Sequence, residues 1–187
     1  MAYVWTKEDG AIRSGEWLVG PRPTEDMLAA AYLTMRENGT MDLVCHQSKP
    51  DLRWWLNWLL GDDCYTPGIY RCDGDRIEMV GTGFFNNVQT LDGLTKAESG
   101  FAFIEPERPG VFVKIELVRA LVRCVFEFTP IESLLGLTPE RNPGAAVMMK
   151  RAGLRQFGPI PNYCTWHGAP CGAYISQTDK QTWFNRE

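Results

Sequence analysis

The stretch Glu140-Arg-Asn-Pro-Gly-Ala-Ala-Val-Met-Met-Lys-Arg-Ala-Gly-Leu154 marks both ends of a short helix. Asn142 suits the N-cap, where a short side chain accepts from a backbone N–H of the first turn. Pro143 suits the first helical position, whose own N–H has no intrahelical partner. Gly153 suits the left-handed residue just past the end. Between them Ala145, Met148, Met149 and Ala152 recur at spacings of three and four, so they share one face. Small residues at the two ends of that face allow close approach to a sheet or to another helix.

Working outward, Phe128–Leu137 reads as a strand before this helix and Arg155–Ile160 as one after it. Upstream, Val111–Glu127 reads as a longer helix. Its charges at Glu116, Arg119, Arg123 and Glu127 form a single polar stripe, and apolar residues cover almost everything else. Before that the period changes. Tyr65–Cys72, Ile77–Phe85 and Lys96–Glu105 read as three strands joined at Asp73-Gly74-Asp75 and near Asp92-Gly93, an antiparallel meander. The first helix is predicted over 23–39, with Thr24 as N-cap, Glu25 and Asp26 in the first turn and Gly39 past the end. Met41–His46 reads as a short strand or an irregular connection. A second helix begins at Pro50-Asp51, runs through Leu52–Leu60 and closes at Gly61. Within it Trp54 and Trp58 share a face. A hydrophobic lid and plain packing are the two readings, and large aromatics on an amphipathic stripe point to packing. Ala173–Ser176 reads as a final strand. Ser176, with Asp179 three residues on, reads as the cap of a last helix, Gln177–Phe184. The class is α+β, or α/β with a mixed sheet: an antiparallel meander followed by strand–helix–strand units, in a single domain over 1–187.

Composition narrows the function. The chain of 187 residues is 44% hydrophobic and 12% aromatic, enough for a sizeable core. Its net charge of −4 argues against a nucleic-acid-binding surface. No apolar run approaches the roughly 20 residues that span a bilayer, so no membrane partner is expected. Six cysteines occur without a preceding secretory segment and read as reduced thiols in a cytoplasmic protein. Cys164-Thr-Trp-His167-Gly-Ala-Pro-Cys171 brackets one His between cysteines seven positions apart, which does not fit zinc-ligand spacing. It reads as a Gly/Pro-rich loop near the active cleft, with no metal.

Gly100–Phe112 runs a strand into a tight turn and then a helix start. Free N–H groups and the positive end of a helix dipole would meet an anion there, with Gly110 permitting close approach and Arg108 adding charge. Local sequence alone favours an ordinary strand–helix turn.

At this point the element order resembles the GNAT acyltransferases, which move an acyl group from a coenzyme A thioester to an amine. A later-helix pattern of that family, Asn-x-x-Ala-x-x-x-Tyr-x-x-x-Gly-Phe, is matched in spacing by Asn142, Ala145, Met149, Gly153 and Leu154. The donor-loop pattern, Arg/Gln-x-x-Gly-x-Gly/Ala, falls on Glu107, Gly110 and Phe112, with Arg108 beside the first position. Two departures stand out. Glu107 and Phe112 replace a cation or amide and a small residue. Met149 replaces the tyrosine that often protonates the departing thiolate, and methionine has no proton to give.

The resemblance implies a GNAT-like central sheet with helices on both faces, acetyl-CoA as donor, and an amine of a small molecule or protein as acceptor. The strand Phe101–Glu105, with Phe103 and Ile104, would pair with the pantetheine arm. Arg108, Gly110 and the Val111 amide would hold the pyrophosphate, and Asn142 would cap its helix toward the thioester. A base is needed because an attacking amine must lose a proton. Glu98 and Glu105 are the candidates on the strand. Their spacing of seven puts them on opposite faces, so only one can serve, and Glu98 is preferred. His46 is a further candidate. The departures also leave a non-catalytic reading: a GNAT-fold binding or virion protein, with the Trp54–Trp58 helix available to a homodimer or to a phage or host partner. The Trp-rich, degenerate style resembles phage-encoded members of the family.

Overall fold

A computed structural model describes residues 4–45 and 50–186. His46 lies outside the described residues. Three short strands come first: β1 (Thr6–Glu8), β2 (Ala11–Ser14) and β3 (Trp17–Val19). The sequence reading omitted them, although Asp9-Gly10 is a hairpin signal and Gly10 sits at φ 65°. Then follow α1 (Glu25–Glu37), α2 (Thr40–Val44) and α3 (Leu52–Leu60). Thr24 and Asp51 cap α1 and α3 by accepting from the Met27 and Trp54 amides. The segment at 41–44, expected as strand or irregular, is helical: Asn38 Oδ1 accepts from the Thr40 amide at 3.0 Å and restarts the helix behind Gly39.

The meander is β4 (Gly68–Asp73), β5 (Arg76–Leu91) and β6 (Leu94–Phe103), followed by α4 (Val111–Phe128), β7 (Ser133–Pro139), α5 (Pro143–Ala152), β8 (Arg155–Trp166), β9 (Ala169–Asp179) and α6 (Lys180–Phe184). Several bounds move. β5 runs to Leu91 rather than Phe85, absorbing a bulge between Asn86 and Gln89. β6 ends at Phe103, so Ile104 and Glu105 lie past it. β7 starts at Ser133, not at Phe128, because α4 continues to Phe128. The stretch Cys164–Cys171, expected as a loop, is a β-hairpin turning at His167 (φ 49°) and Gly168 (φ 83°). Asp179, not Ser176, caps the last helix, accepting from the Thr182 amide at 2.7 Å. Ser176 is fully buried in β9.

The nine strands of the described residues join one sheet in the order β1-β2-β3-β4-β5-β6-β7-β9-β8. Every pairing is antiparallel except β6 with β7. That parallel ladder is short, Lys96–Glu98 against Ser133–Leu135. Beyond it β6 remains paired to β5 and β7 to β9, but the two strands part. Helices cover both faces. Leu117, Leu121, Val125 and Phe126 of α4, with Met149 of α5 and Trp183 of α6, pack on one face against Ile69, Phe85 and Leu134. Leu28 and Tyr32 of α1 with Trp55 and Leu59 of α3 pack on the other against Ala102. Among the described residues, no helix is long and apolar enough to cross a membrane.

The punctuation of α5 forms as read. Asn142 Oδ1 accepts from the Ala145 amide at 3.3 Å. Gly153 is left-handed at φ 106°, and the Gly153 and Leu154 amides donate to the Lys150 and Met149 carbonyls, the paired bonds that close a helix end. Asn142→Ala is expected to cost about 1 kcal/mol through the lost cap, read as a lower midpoint in thermal or urea unfolding.

Candidate active site

The parting of β6 and β7 leaves a gap inside an otherwise continuous sheet. A cavity of about 380 Å³ fills it and reaches both helix layers. From β6 it is lined by Glu98, Ser99, Gly100 and Phe101, and from β7 by Leu135, Leu137 and Thr138. On one side stand Asn142, Ala145 and Met149 of α5; on the other, Leu43 and Val44 of α2 and Trp54 and Trp58 of α3. Tyr163 of β8 closes one wall.

Gly136 shows how tightly the inner end is built. A Cβ there would fall 2.7 Å from Met149 Cε and 3.3 Å from Ser99 Oγ, so Ser99, Gly136 and Met149 converge on one point. Ser99 Oγ is buried and has no hydrogen-bond partner. A buried hydroxyl without a partner is costly unless something else meets it. It stands beside Met149. No local sequence signal marks Ser99; its place depends on where β6 leaves β7.

The two carboxylates separate. Glu98 is exposed, lines the cavity and accepts from Asn87 Nδ2 at 2.9 Å. Glu105 lies in the loop after β6 and is not part of the cavity wall. Its backbone carbonyl, with that of Pro106, accepts from Lys114 Nζ at 3.3 and 2.5 Å. Lys114 is buried, and desolvation pushes its pKa down. Its ammonium also stands 5.2 Å from the Phe103 ring centre, so Phe103 is a core residue under the loop. Both backbone groups of Ile104 are engaged: its N–H donates to the Val80 carbonyl and its carbonyl accepts from Asn38 Nδ2 at 2.8 Å.

Past this loop, Gly110 is the N-cap of α4 at φ −58°, and no side chain caps that helix. The first turn carries no acidic residue. The amides of Val111, Phe112 and Val113 are therefore free to meet an anion, the Lys114 amide being the first that the helix uses. Arg108 is exposed one turn of chain away, as are Glu107 and Phe112. β6 connects this corner to the cavity: Ser99–Phe103 spans roughly 14 Å at about 3.4 Å per residue, with its β7-facing edge unpaired.

The packing expected of the tryptophans holds for Trp58, which lies half-buried against the core, but not for Trp54. Trp55 is the fully buried one, while Trp54 is 49% exposed and forms cavity wall with Trp58. Their ring centres are 5.4 Å apart, and Phe84 lies 5.0 Å beyond Trp58. Gly100 opposes Phe84 across the β5–β6 ladder, and a Cβ at Gly100 would collide with Phe84 Cε2. The bare backbone lets the Phe84 ring lie over the strand. Cys45 also lines the cavity, with its thiol pushed up to about 12 by burial. Cys164 and Cys171 face each other across the β8–β9 hairpin, and all six cysteines are free thiols.

No family model and no curated protein matches the chain. Solved structures do. The ribosomal-protein-S5-alanine acetyltransferase from Vibrio fischeri superposes with a TM-score of 0.72 at 13% identity, covering 92% of this chain and 98% of that one. The spermidine N-acetyltransferase from Vibrio cholerae, in complex with CoA and spermine, gives 0.74 at 11% identity over 91% and 99%. Mycobacterium smegmatis RimJ, in complex with CoA-disulfide, gives 0.69 at 14% identity over 89% and 83%. A Bacillus anthracis acetyltransferase of the GNAT family matches at 0.67 and 14% identity over 91% and 99%. With a parallel pair that parts over a cavity, helices on both faces and these neighbours over nearly the whole chain, the protein has the fold of the GNAT acetyltransferases.

Proposed function

We propose that the protein is an N-acyltransferase that uses acetyl-CoA and delivers the acyl group to a primary amine. The observation that carries this reading is the continuous path from the uncapped start of α4, along the unpaired edge of β6, into the cavity at the β6–β7 parting. The residues present fit coenzyme A. The Gly110 corner, the Val111 amide and Arg108 would hold the pyrophosphate, and buried Lys114 would fix the loop and add positive charge beneath it. The edge Ser99–Phe103 would pair with the arm, with Ile104 offering carbon surface only. Asn142 would stand at the thioester end.

When bound, coenzyme A supplies an acetyl group activated as a thioester. Glu98 takes the proton that the acceptor nitrogen loses as its bond to the acyl carbon forms. Ser99 Oγ, buried beside Met149 without a hydrogen-bond partner, would donate a hydrogen bond toward a departing thiolate, which Met149 cannot do, and the thiolate would take its proton from solvent. Glu105, outside the cavity, takes no part. The test is calorimetric titration of the full chain with acetyl-CoA, followed by a free-thiol assay with amines. Binding in the micromolar range supports the reading, and no heat at millimolar donor ends it. Met149 favours a second reading, a fold that binds donor without transfer. Donor binding with no thiol release for any amine would select it.

A further inference from the structure

The acceptor side of the cavity is built from rings. Trp54, Trp58 and Phe84 form a continuous wall, with neighbouring centres 5.4 and 5.0 Å apart, and Leu43 and Val44 complete it. Gly100 is what allows Phe84 into that wall, because any side chain there would displace the ring. Trp54 keeps 49% of its surface exposed, unlike Trp55 one residue away, so this is aromatic surface held open rather than core. Among the described residues lining the cavity, Glu98 is the single charged one. At about 380 Å³ the cavity sits at the small end of ligand sites.

On the reading that this cavity transfers an acyl group, we infer that its acceptor is a small primary amine with one positive charge carried on a flat apolar group, an arylalkyl amine. The aromatic faces take the ring and the methylenes by dispersion and burial, and attract the ammonium as it approaches. Glu98 balances one charge. A polyamine, such as the spermidine of the Vibrio cholerae enzyme's name, would bring further ammonium groups into a wall whose described residues offer no second carboxylate to meet them. A peptide terminus would place amide groups against ring faces, which offer them no conventional hydrogen bond in place of the water they lose.

Two measurements on the full-length chain test this. The first is calorimetry with phenethylamine, on the protein alone and on the protein saturated with coenzyme A. The second is the free-thiol assay with acetyl-CoA and phenethylamine, spermidine or a short peptide with a free N-terminus. The expected result is a kcat/KM for phenethylamine at least about tenfold above both others. Trp54→Ala, a change at a half-exposed position, should raise the phenethylamine KM about tenfold, with kcat within threefold and the coenzyme A Kd unchanged. A preference for spermidine or the peptide overturns the inference, as does a KM within twofold in Trp54→Ala. If coenzyme A binds but phenethylamine neither binds nor reacts, the inference falls and the acyltransferase reading stands. If phenethylamine binds through Trp54 and coenzyme A does not bind, the amine site stands and the acyltransferase reading falls. If neither binds, both fall.

Discussion

Gly110→Glu is expected to weaken coenzyme A binding at least about 100-fold while leaving the fold intact. The fold argument comes from the position itself. A Cβ at Gly110 meets nothing within 4 Å, and φ −58° is open to any residue. A carboxylate at a helix start also favours the helix, because it sits at the positive end of the dipole. Thermal stability should therefore stay level or rise by a few tenths of a kcal/mol. The binding argument is electrostatic. A carboxylate about 4 Å from a phosphate repels it by roughly 4 kcal/mol at an effective dielectric near 20, and it takes up the very amides the phosphate would use. Calorimetry with coenzyme A reads the loss directly, and unfolding curves separate it from misfolding. A donor Kd within threefold of the unmodified protein would refute the placement of the phosphate corner at α4.

Parts of this site were legible in the sequence, and the reasons differ residue by residue. The α5 helix was readable because caps are local: Asn142, Pro143 and Gly153 act on their own turns, and the structure uses Asn142 and Gly153 as read. That Glu98 and Glu105 are kept apart was also legible, although the expected reason was opposite faces of one strand and the structure instead ends β6 at Phe103, before Glu105. The parting of β6 from β7 was not legible. It depends on Lys96–Glu98 meeting Ser133–Leu135 across a long separation in the chain, and on that ladder stopping after three pairs. Ser99 becomes notable only once Gly136 and Met149 are placed beside it. Trp54 departed from the expected packing for another reason. Trp54 with Trp58, and Trp55 with Leu59, are both pairs at i, i+4, so the sequence offers two stripes on one short helix. Which stripe buries is settled by the face turned to the sheet, and α1 and Ala102 take Trp55 and Leu59. The N-terminal hairpins carried a usable signal in Asp9-Gly10 that their polar composition obscured.

Glu98→Gln is expected to lower kcat/KM for amine acetylation about 100-fold with the coenzyme A Kd unchanged. The side chain is exposed, so the exchange costs little stability, and glutamine keeps an oxygen that can accept from Asn87 Nδ2. What it loses is the ability to take a proton and to offset the acceptor's charge, and positioned proton transfer contributes on the order of 10² to 10⁴ in rate. The pH dependence gives a second readout. Without the carboxylate, the reaction draws on the fraction of amine already neutral, which rises tenfold per pH unit below the amine's own pKa. The variant should therefore recover toward the unmodified rate as pH is raised from 7 to 9. Because Glu98 is the one carboxylate among the described residues of the cavity wall, no neighbouring carboxylate there stands in for it, and Glu105→Gln should leave kcat/KM within twofold. Activity within threefold in Glu98→Gln, or a large loss in Glu105→Gln, would remove Glu98 from its role. A loss that does not recover with pH would assign Glu98 to holding the acceptor rather than to taking its proton.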